Sequence, residues 1–283
     1  MRVHRLAIAS LAIVGLTSCK GDSTGHPTGA VVPPLAYVRY FNAVSDTLPL
    51  DFRPIDQIEF SQPFLAVPFR AVGLGSYQGY QAGSRRIRVF PNSTDLATTS
   101  SILVDTSLTL NAGTYYSVMH VGYARTGQAP KQGLWVIEDP LPTPAGNIAV
   151  RVIHTGVDLG NVDVYITAGA TDPLPATPTF ANVSYKSSQT WVTRSAGAFT
   201  MRVFPAGTTA TATITRAAPL KPATAISGNS YVGGADDPGT VFTAMLYSRA
   251  VAGSTAAVNS GTGVNTTPTV VFWIDKAPPG IAP

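Results

Sequence analysis

The stretch Ile87-Arg-Val-Phe-Pro91 occurs a second time in the chain, as Met201-Arg-Val-Phe-Pro205. In both stretches an arginine stands between two apolar residues and a Phe-Pro pair closes the run, a pattern that predicts a short β-strand. A run that returns later in the same chain with so little change indicates an internal duplication.

Further matches lie in the same order along the chain, which strengthens the prediction of a duplication. The matched pairs are Val38-Arg39 with Val150-Arg151, Asp46 with Asp158, Asp51 with Asp163, Phe64 with Phe180, and Ala82-Gly83 with Ala196-Gly197. Near the end, Leu134–Glu138 matches Val271–Asp275 after a larger gap, so the second copy is longer there. A long polar loop over residues 249–268 accounts for the extra length, and we expect this loop to be mobile.

The composition is typical of an all-β protein. Only 12% of the residues are charged, while Gly and Pro number 26 and 23. Each copy contains about seven short alternating runs separated by turn residues, and no helical pattern follows residue 30. We therefore predict two tandem antiparallel β-sandwich domains of the immunoglobulin-like or transthyretin-like kind, after a signal peptide and a flexible tether.

The predicted boundaries follow from changes in composition along the chain. They are a signal peptide (1–18), Cys19 with a flexible tether (19–35), β-sandwich domain 1 (36–139), a Pro-rich linker (140–146), β-sandwich domain 2 (147–277) and a C-terminal tail (278–283).

Cys19 is the only cysteine of the chain. It follows a basic start and an apolar run, Leu6–Leu16, which is shorter than the roughly 20 residues of a membrane-spanning helix. Leu16-Thr17-Ser18-Cys19 resembles the bacterial lipobox, and this resemblance implies lipidation of Cys19 and cleavage just before it. The alternative is an ordinary signal peptide with an incidental cysteine. Lys20 follows where an Asp would favour the inner membrane, so we expect lipid anchoring in the cell envelope, at the outer membrane, on its periplasmic or surface face.

The repeated residues include a set that carries a family resemblance. In the second copy these are Val150-Arg151, His154, Asp163-Val164-Tyr165, Ala196-Gly197 and Arg202-Val203-Phe204-Pro205, and in the first copy Val38-Arg39, Asp51, Arg88-Val89-Phe90-Pro91 and Asn111–Tyr115. They resemble the bacterial family called domain of unknown function 4397, in two copies over most of residues 36–277. The resemblance implies exported sandwich proteins, often lipoproteins, with no established activity. Asn42 departs from the pattern, because the family tends to have His there.

The charge of the chain gives no indication of a nucleic-acid partner. The net charge of +4 falls to near +2 once Arg2 and Arg5 leave with the signal peptide. The densest basic run, Arg85–Arg88, alternates along a predicted strand and is typical of a solvated strand face.

The sequence contains no H-E-x-x-H, S-x-x-K or G-K-[ST] pattern, and its G-x-S-x-G match, Gly21–Gly25, lies in the predicted flexible tether rather than between a strand and a helix. We therefore expect no catalytic residues, no cofactor and no metal. One group of residues is repeated with the same spacing: His154, Asp158 and Asp163 recur as Asn42, Asp46 and Asp51. Oxygen-rich loops of this kind can bind calcium, but aspartates more often shape turns through hydrogen bonds to the backbone. Asn42 in place of His154 argues against a shared catalytic imidazole.

Two aromatic residues, Tyr77 and Trp191, occupy matching positions in the two copies. Solvent-facing aromatic rings can stack on sugars, although such residues more often fill a sandwich core. Together with the aspartates and His154, they complete the set of possible ligand-binding residues.

The sequence favours a non-enzymatic, lipid-anchored envelope protein whose sandwich domains bind a glycan or an envelope protein. Two alternatives remain open. One is a hydrolase of envelope polymers with His154, Asp158 and Asp163 near its site, and the other is an accessory subunit of an envelope complex.

Overall fold

The structure is a computed structural model that describes residues 33–57, 63–73, 77–222, 233–258 and 265–278. Pro34–Pro283 form one compact unit. The predicted signal peptide, Cys19 and most of the predicted tether lie outside the described residues. Within the described ranges, no helix combines the length and the apolar character needed to cross a membrane.

The described residues of the N-terminal half, within 35–139, form eight strands and one short helix. They are β1 (Leu35–Asn42), β2 (Leu50–Pro54), β3 (Ala71–Val72), β4 (Gln78–Gln81), β5 (Gly83–Pro91), α1 (Leu96–Thr99), β6 (Val104–Leu110), β7 (Tyr115–Val121) and β8 (Gly133–Glu138).

In the C-terminal half, the parts of residues 147–276 that the structure describes also form eight strands and one short helix. They are β9 (Asn147–His154), β10 (Val162–Thr167), β11 (Phe180–Val183), β12 (Val192–Ser195), β13 (Thr200–Pro205), β14 (Ile214–Ala217), β15 (Val241–Tyr247), α2 (Thr255–Val258) and β16 (Thr269–Lys276).

Each half contains two sheets, and the strand order repeats from one half to the other. Strands β4-β1-β7-β8 correspond to β12-β9-β15-β16, with β3 also paired to β1, and β2-β5-β6 correspond to β10-β13-β14, with β11 added beside β10. The predicted all-β sandwich class is confirmed. Each half also contains one parallel pair, β1 with β7 and β9 with β15, which the sequence did not indicate. The chain visits the second sheet twice and returns in between to the antiparallel neighbours β3 and β4, or β12, before the parallel partner β7 or β15 is added.

Alternation along β1 explains how the two halves meet. Ala36, Val38 and Tyr40 point into the core of the N-terminal half. Phe41 points the opposite way, into a third apolar cluster that joins the halves. This junction cluster draws on both halves and includes Phe41, Met119, Trp135, Ile153, Met245 and Trp273. Strands β1, β7, β9 and β15 are therefore buried on both faces, and the protein has four layers of sheet.

The junction also buries four charges, two arginines and two aspartates. Arg39 Nη1 lies 2.6 Å from Asp275 Oδ1, and Arg151 Nη2 lies 2.5 Å from Asp139 Oδ1. The arginine side chains are 3% exposed and the aspartate side chains 0%. The closest acidic partner of each arginine is therefore the aspartate of the other half.

A hydroxyl group in each half connects its own arginine to its own aspartate. Arg39 Nε donates to Ser117 Oγ at 2.8 Å, and Ser117 Oγ donates to Asp139 Oδ2 at 2.6 Å. The C-terminal half repeats this arrangement with Thr243, which accepts from Arg151 Nε at 2.8 Å and donates to Asp275 Oδ2 at 2.5 Å. Each buried ion thereby gains a further hydrogen bond, while Arg39 Nη2 lies 3.5 Å from Asp139 Oδ2 without a hydrogen bond.

The pKa values reflect the same balance of burial and pairing. Burial raises the pKa of Asp275, and the guanidinium groups of Arg39 and Arg151 oppose that rise. Burial also acts to lower the pKa of Arg39, but Asp275, Tyr77 and Asp139 raise it above its ordinary value. Arg39 therefore carries its full charge at the junction.

The hydrogen-bond register shows that Asp139 is the counterpart of Asp275. Ser117 lies opposite Ile137 in β8, and Thr243 lies opposite Trp273 in β16. The sequence match had instead placed Asp275 with Glu138, one residue away. Because successive strand residues point to opposite faces, that one-residue slip concealed the buried acid at the end of β8.

We predict that Arg151→Met destabilises the protein by about 3–5 kcal/mol, because it leaves Asp139 buried without its main partner. The free energy of unfolding in urea measures the effect. Arg86→Met is the control, since Arg86 pairs with Asp105 on the exposed face of β5 and should leave the midpoint near wild type. Equal shifts for the two variants would contradict the role given to the buried ions.

Candidate functional site

The two aromatic residues singled out in the sequence lie at the junction. Tyr77 precedes β4 and Trp191 precedes β12, and both are half-buried. The Arg39 guanidinium lies 4.5 Å from the centre of the Tyr77 ring, and that of Arg151 lies 4.5 Å from the Trp191 ring. One face of each ring is thus covered by a buried cation. Burial raises the pKa of Tyr77, and its protonated hydroxyl donates to Asp139 Oδ2 at 2.7 Å.

His154 and Asn42 perform the same structural task in the two halves. The Gly156 N–H donates to His154 Nδ1 at 3.2 Å, and the Val44 N–H donates to Asn42 Oδ1 at 3.0 Å. His154 Nε2 in turn donates to the Gly160 carbonyl at 2.9 Å. Burial lowers the pKa of His154, which favours this neutral form. An amide oxygen can replace a ring nitrogen here, because only an acceptor for the second following N–H is required.

Asp51 and Asp163 also share one task. Asp51 Oδ1 accepts from the Ala66 N–H, and Asp163 Oδ1 accepts from the Asn182 N–H, each at 2.7 Å. Ala66 and Asn182 both have a φ of 49°, in the left-handed region that non-glycine residues rarely adopt. The carboxylates therefore hold a strained loop in the same shape in both halves. Asp163 is largely buried rather than facing solvent.

Asp46 and Asp158 have different hydrogen-bonding partners, although they occupy matching positions in the two copies. Asp46 accepts from the Ala124 N–H at 2.9 Å and the Arg125 N–H at 3.0 Å, which ties the loop after β7 to the loop after β1. In the C-terminal half the corresponding loop follows β15. There the Asp158 carboxylate meets the Arg249 side chain instead, with Nε 3.1 Å from Oδ2.

The long loop of the C-terminal half explains the difference. The Ala250 N–H donates to the carbonyl of Asn265 at 2.7 Å, and the Val251 N–H donates to the carbonyl of Ser45, in the N-terminal half, at 2.9 Å. Arg70, also in the N-terminal half, donates to the carbonyls of Ser248 and Thr267. The predicted mobility does not agree with these contacts, because the described parts of the loop are hydrogen-bonded across the junction.

A cleft opens where these loops of the two halves meet. Its volume is about 460 Å³, and Tyr123 of the N-terminal half lines it together with Asp158, Arg249, Val251 and Thr266 of the C-terminal half. Tyr123 and Arg249 are counterparts, since each lies two residues beyond the corresponding strand, β7 or β15. Burial raises the pKa of Tyr123, and the nearby carboxylates of Asp158 and Asp46 raise it further.

The cleft offers hydrogen-bond donors and acceptors without a net charge. The Arg249 side chain is 67% exposed and the Asp158 side chain 20%. In the part of the chain that the structure describes, no group of three or more His, Cys, Asp or Glu side chains is placed to hold a metal ion. Such a surface can bind a polar ligand, and it is where the halves diverge most.

Sequence reasoning missed Tyr123, Arg249 and the four buried charges. A signal for the charges was present, because Val38-Arg39 and Val150-Arg151 place an arginine at the same position of two strands that are apolar on both faces. A charge repeated at a fully buried position requires a buried partner. Nothing in the sequence indicated that Tyr123 and Arg249 would lie in one cleft.

We predict that His154→Asn leaves the protein close to wild type in stability at pH 7.5, whereas His154→Leu destabilises it by about 1–3 kcal/mol, since the Gly156 N–H then has no acceptor. The pH dependence gives a second check. The folded-state pKa of His154 lies below its ordinary value of 6.5, so the unfolded chain binds a proton first as the pH falls. Wild type should therefore lose more stability below pH 6.5 than His154→Asn, as urea titrations at several pH values will show. Parallel pH profiles would contradict this assignment.

Comparison with known proteins gives one family match. The model described as "Domain of unknown function (DUF4397)" matches residues 36–165, which run from β1 into β10. No curated protein matches the chain.

Two solved structures show a remote likeness. One is described as "Alpha-glucan recognition by family 41 carbohydrate-binding modules from streptococcal virulence factors", with 11% identity, a TM-score of 0.21, and coverage of 64% of this chain and 86% of that chain. The other, "Alpha-glucan binding by a streptococcal virulence factor", has 10% identity, a TM-score of 0.20, and coverage of 59% and 79%. TM-scores at this level support no inference about ligand. The finding that stands is the match of residues 36–165 to the domain of unknown function.

Proposed function

We propose that this protein is a non-enzymatic, lipid-anchored component of the bacterial cell envelope whose two sandwich domains act as a binding or structural module. We further propose that the C-terminal half is a second copy of the family domain. The equal strand order of the two halves and the repeated Arg-hydroxyl-Asp arrangement support this second copy.

The observation that carries the proposal is the joining of the halves by four buried charges. Reciprocal pairs between Arg39 and Asp275 and between Arg151 and Asp139 fix one half against the other. Loops of both halves then meet at the cleft lined by Tyr123, Asp158 and Arg249. A fixed surface assembled from two domains suits the holding of a ligand or partner, because little ordering is required when it binds.

The existing contacts of the candidate acid–base residues support a non-enzymatic role. Asp51, Asp163 and His154 all hydrogen-bond to backbone groups that shape their loops. A general acid or base needs a lone pair or a proton directed at substrate, and these groups direct theirs at the protein. The hydrolase alternative would therefore have to rely on Asp158 without the imidazole.

The proposed anchor is tested by Cys19→Ser in the full-length chain. Without the thiol no lipid can be attached, so we expect the variant to move from the membrane pellet to the soluble fraction or to accumulate unprocessed. Fractionation and mass spectrometry of the N-terminus measure this. Lys20→Ser is a matched control that keeps the thiol and should remain in the membrane pellet. A Cys19→Ser protein that stays membrane-bound and normally processed would contradict the anchor.

The proposed binding role is tested with purified residues 20–283, which include the compact unit. We expect the immobilised protein to retain a glycan or protein fraction of the native envelope without releasing shortened products. Chromatography of the bound material, with analysis of the flow-through for new reducing ends, measures both properties. Passage of every fraction, together with no cross-linked partner in the native membrane, would contradict a binding role. Release of new reducing ends would instead favour the hydrolase.

A further inference from the structure

We propose that the cleft between Tyr123, Asp158 and Arg249 binds a neutral oligosaccharide. This inference rests on the proposed role as a binding module and assigns that role a site and a ligand class.

The first step is the difference between the two equivalent aspartates. In the N-terminal half both oxygens of Asp46 accept backbone N–H groups, from Ala124 and Arg125. In the C-terminal half the Ala250 and Val251 N–H groups donate elsewhere. The Asp158 carboxylate is consequently released from the structural task of its counterpart, and it lines the cleft. The C-terminal half, which has the longer loop, therefore presents the Asp158 carboxylate as an acceptor that the loop backbone does not use.

The second step concerns the donor beside this acceptor. Arg249 directs Nε toward Asp158 at 3.1 Å while its side chain remains 67% exposed. A guanidinium has five N–H donors, so one contact to the carboxylate leaves others directed at solvent. The pair therefore presents a charged acceptor next to charged donors.

The third step identifies the ligand class from the charge balance. The opposite charges of Asp158 and Arg249 largely cancel at a distance, so the pair favours neither an anion nor a cation over a neutral polar molecule. Neighbouring hydroxyl groups of a sugar can donate to the carboxylate and accept from the guanidinium at the same time. Tyr123 adds an aromatic body with a polar end, which suits a ring that is apolar on its face and polar at its rim.

The fourth step is that the walls of the cleft are held in place. The Val251 N–H donates across the junction to Ser45, and Arg70 holds the carbonyls of Ser248 and Thr267. A cleft of about 460 Å³ lies within the size range of small-molecule sites. Sugars bind weakly through hydrogen bonds that replace those to water, so a prearranged site is an advantage.

The test is calorimetric titration of purified residues 20–283 with a panel of neutral gluco-, galacto- and manno-oligosaccharides and of their uronic-acid counterparts. We expect at least one neutral oligosaccharide to bind. Asp158→Asn and Arg249→Gln should each weaken binding about 10-fold or more, because each removes a charged hydrogen-bonding group. Arg86→Gln, on the exposed face of β5, is the matched surface control and should bind as wild type.

Three outcomes would overturn the inference, and they separate it from the proposed function. Equal binding by wild type and both cleft variants would reject the site, while the binding role would stand. Binding of uronic-acid oligosaccharides alone would reject the ligand class. Retention of an envelope protein without any oligosaccharide would reject a sugar ligand but leave a binding module. Urea unfolding of each variant shows whether loss of fold is the cause. Both side chains lie at the surface of the cleft, so we expect both variants to stay folded.

Discussion

Two buried arginines and two buried aspartates form the constraint on which the rest of the architecture depends. An ion without a partner in a protein interior is strongly unfavourable, so the halves can close only when Arg39 meets Asp275 and Arg151 meets Asp139. This requirement fixes which faces of the two central sheets pack against each other, although both sheets carry apolar residues on both faces. It also places the carboxylate of Asp139 at the centre of the molecule, although the residue directly precedes the proline-rich linker.

The two halves share a scaffold and differ at its loops. Asn42 and His154 hold the same kind of N–H, and Asp51 and Asp163 hold the same strained loop, by equivalent hydrogen bonds. The difference between Asp46 and Asp158 arises because the longer loop of the C-terminal half finds other partners, some of them in the N-terminal half. An insertion has thus changed the environment of an aspartate without altering the aspartate itself.

Much of the fold could be predicted from the sequence, because alternation and turn residues act locally. The strands around Arg88-Val89-Phe90 and Arg202-Val203-Phe204 are present in the structure, and the all-β sandwich class is confirmed. The parallel pairs could not be predicted, since strand partners are chosen by packing over the whole chain. The pairing of Asp139 with Arg151 was hidden for a related reason: a one-residue shift near the irregularity between Val241 and Phe242 is invisible to a comparison of apolar residues. The cleft was equally out of reach, because Tyr123 and Arg249 are far apart in the chain and meet only through the junction.

The reciprocal pairing has a consequence for the order in which the molecule can be completed. Asp275 lies in β16, the last strand, while its partner Arg39 lies in β1, the first. Within the N-terminal half Arg39 has only the more distant Asp139, 3.5 Å away, so its closest acidic partner is missing until the last strand is in place. The N-terminal half cannot close the face that will become the junction, and tight packing there waits for the final strand. The junction is therefore completed only when the first and the last strand are both in place, and a chain that lacked β16 would lack it.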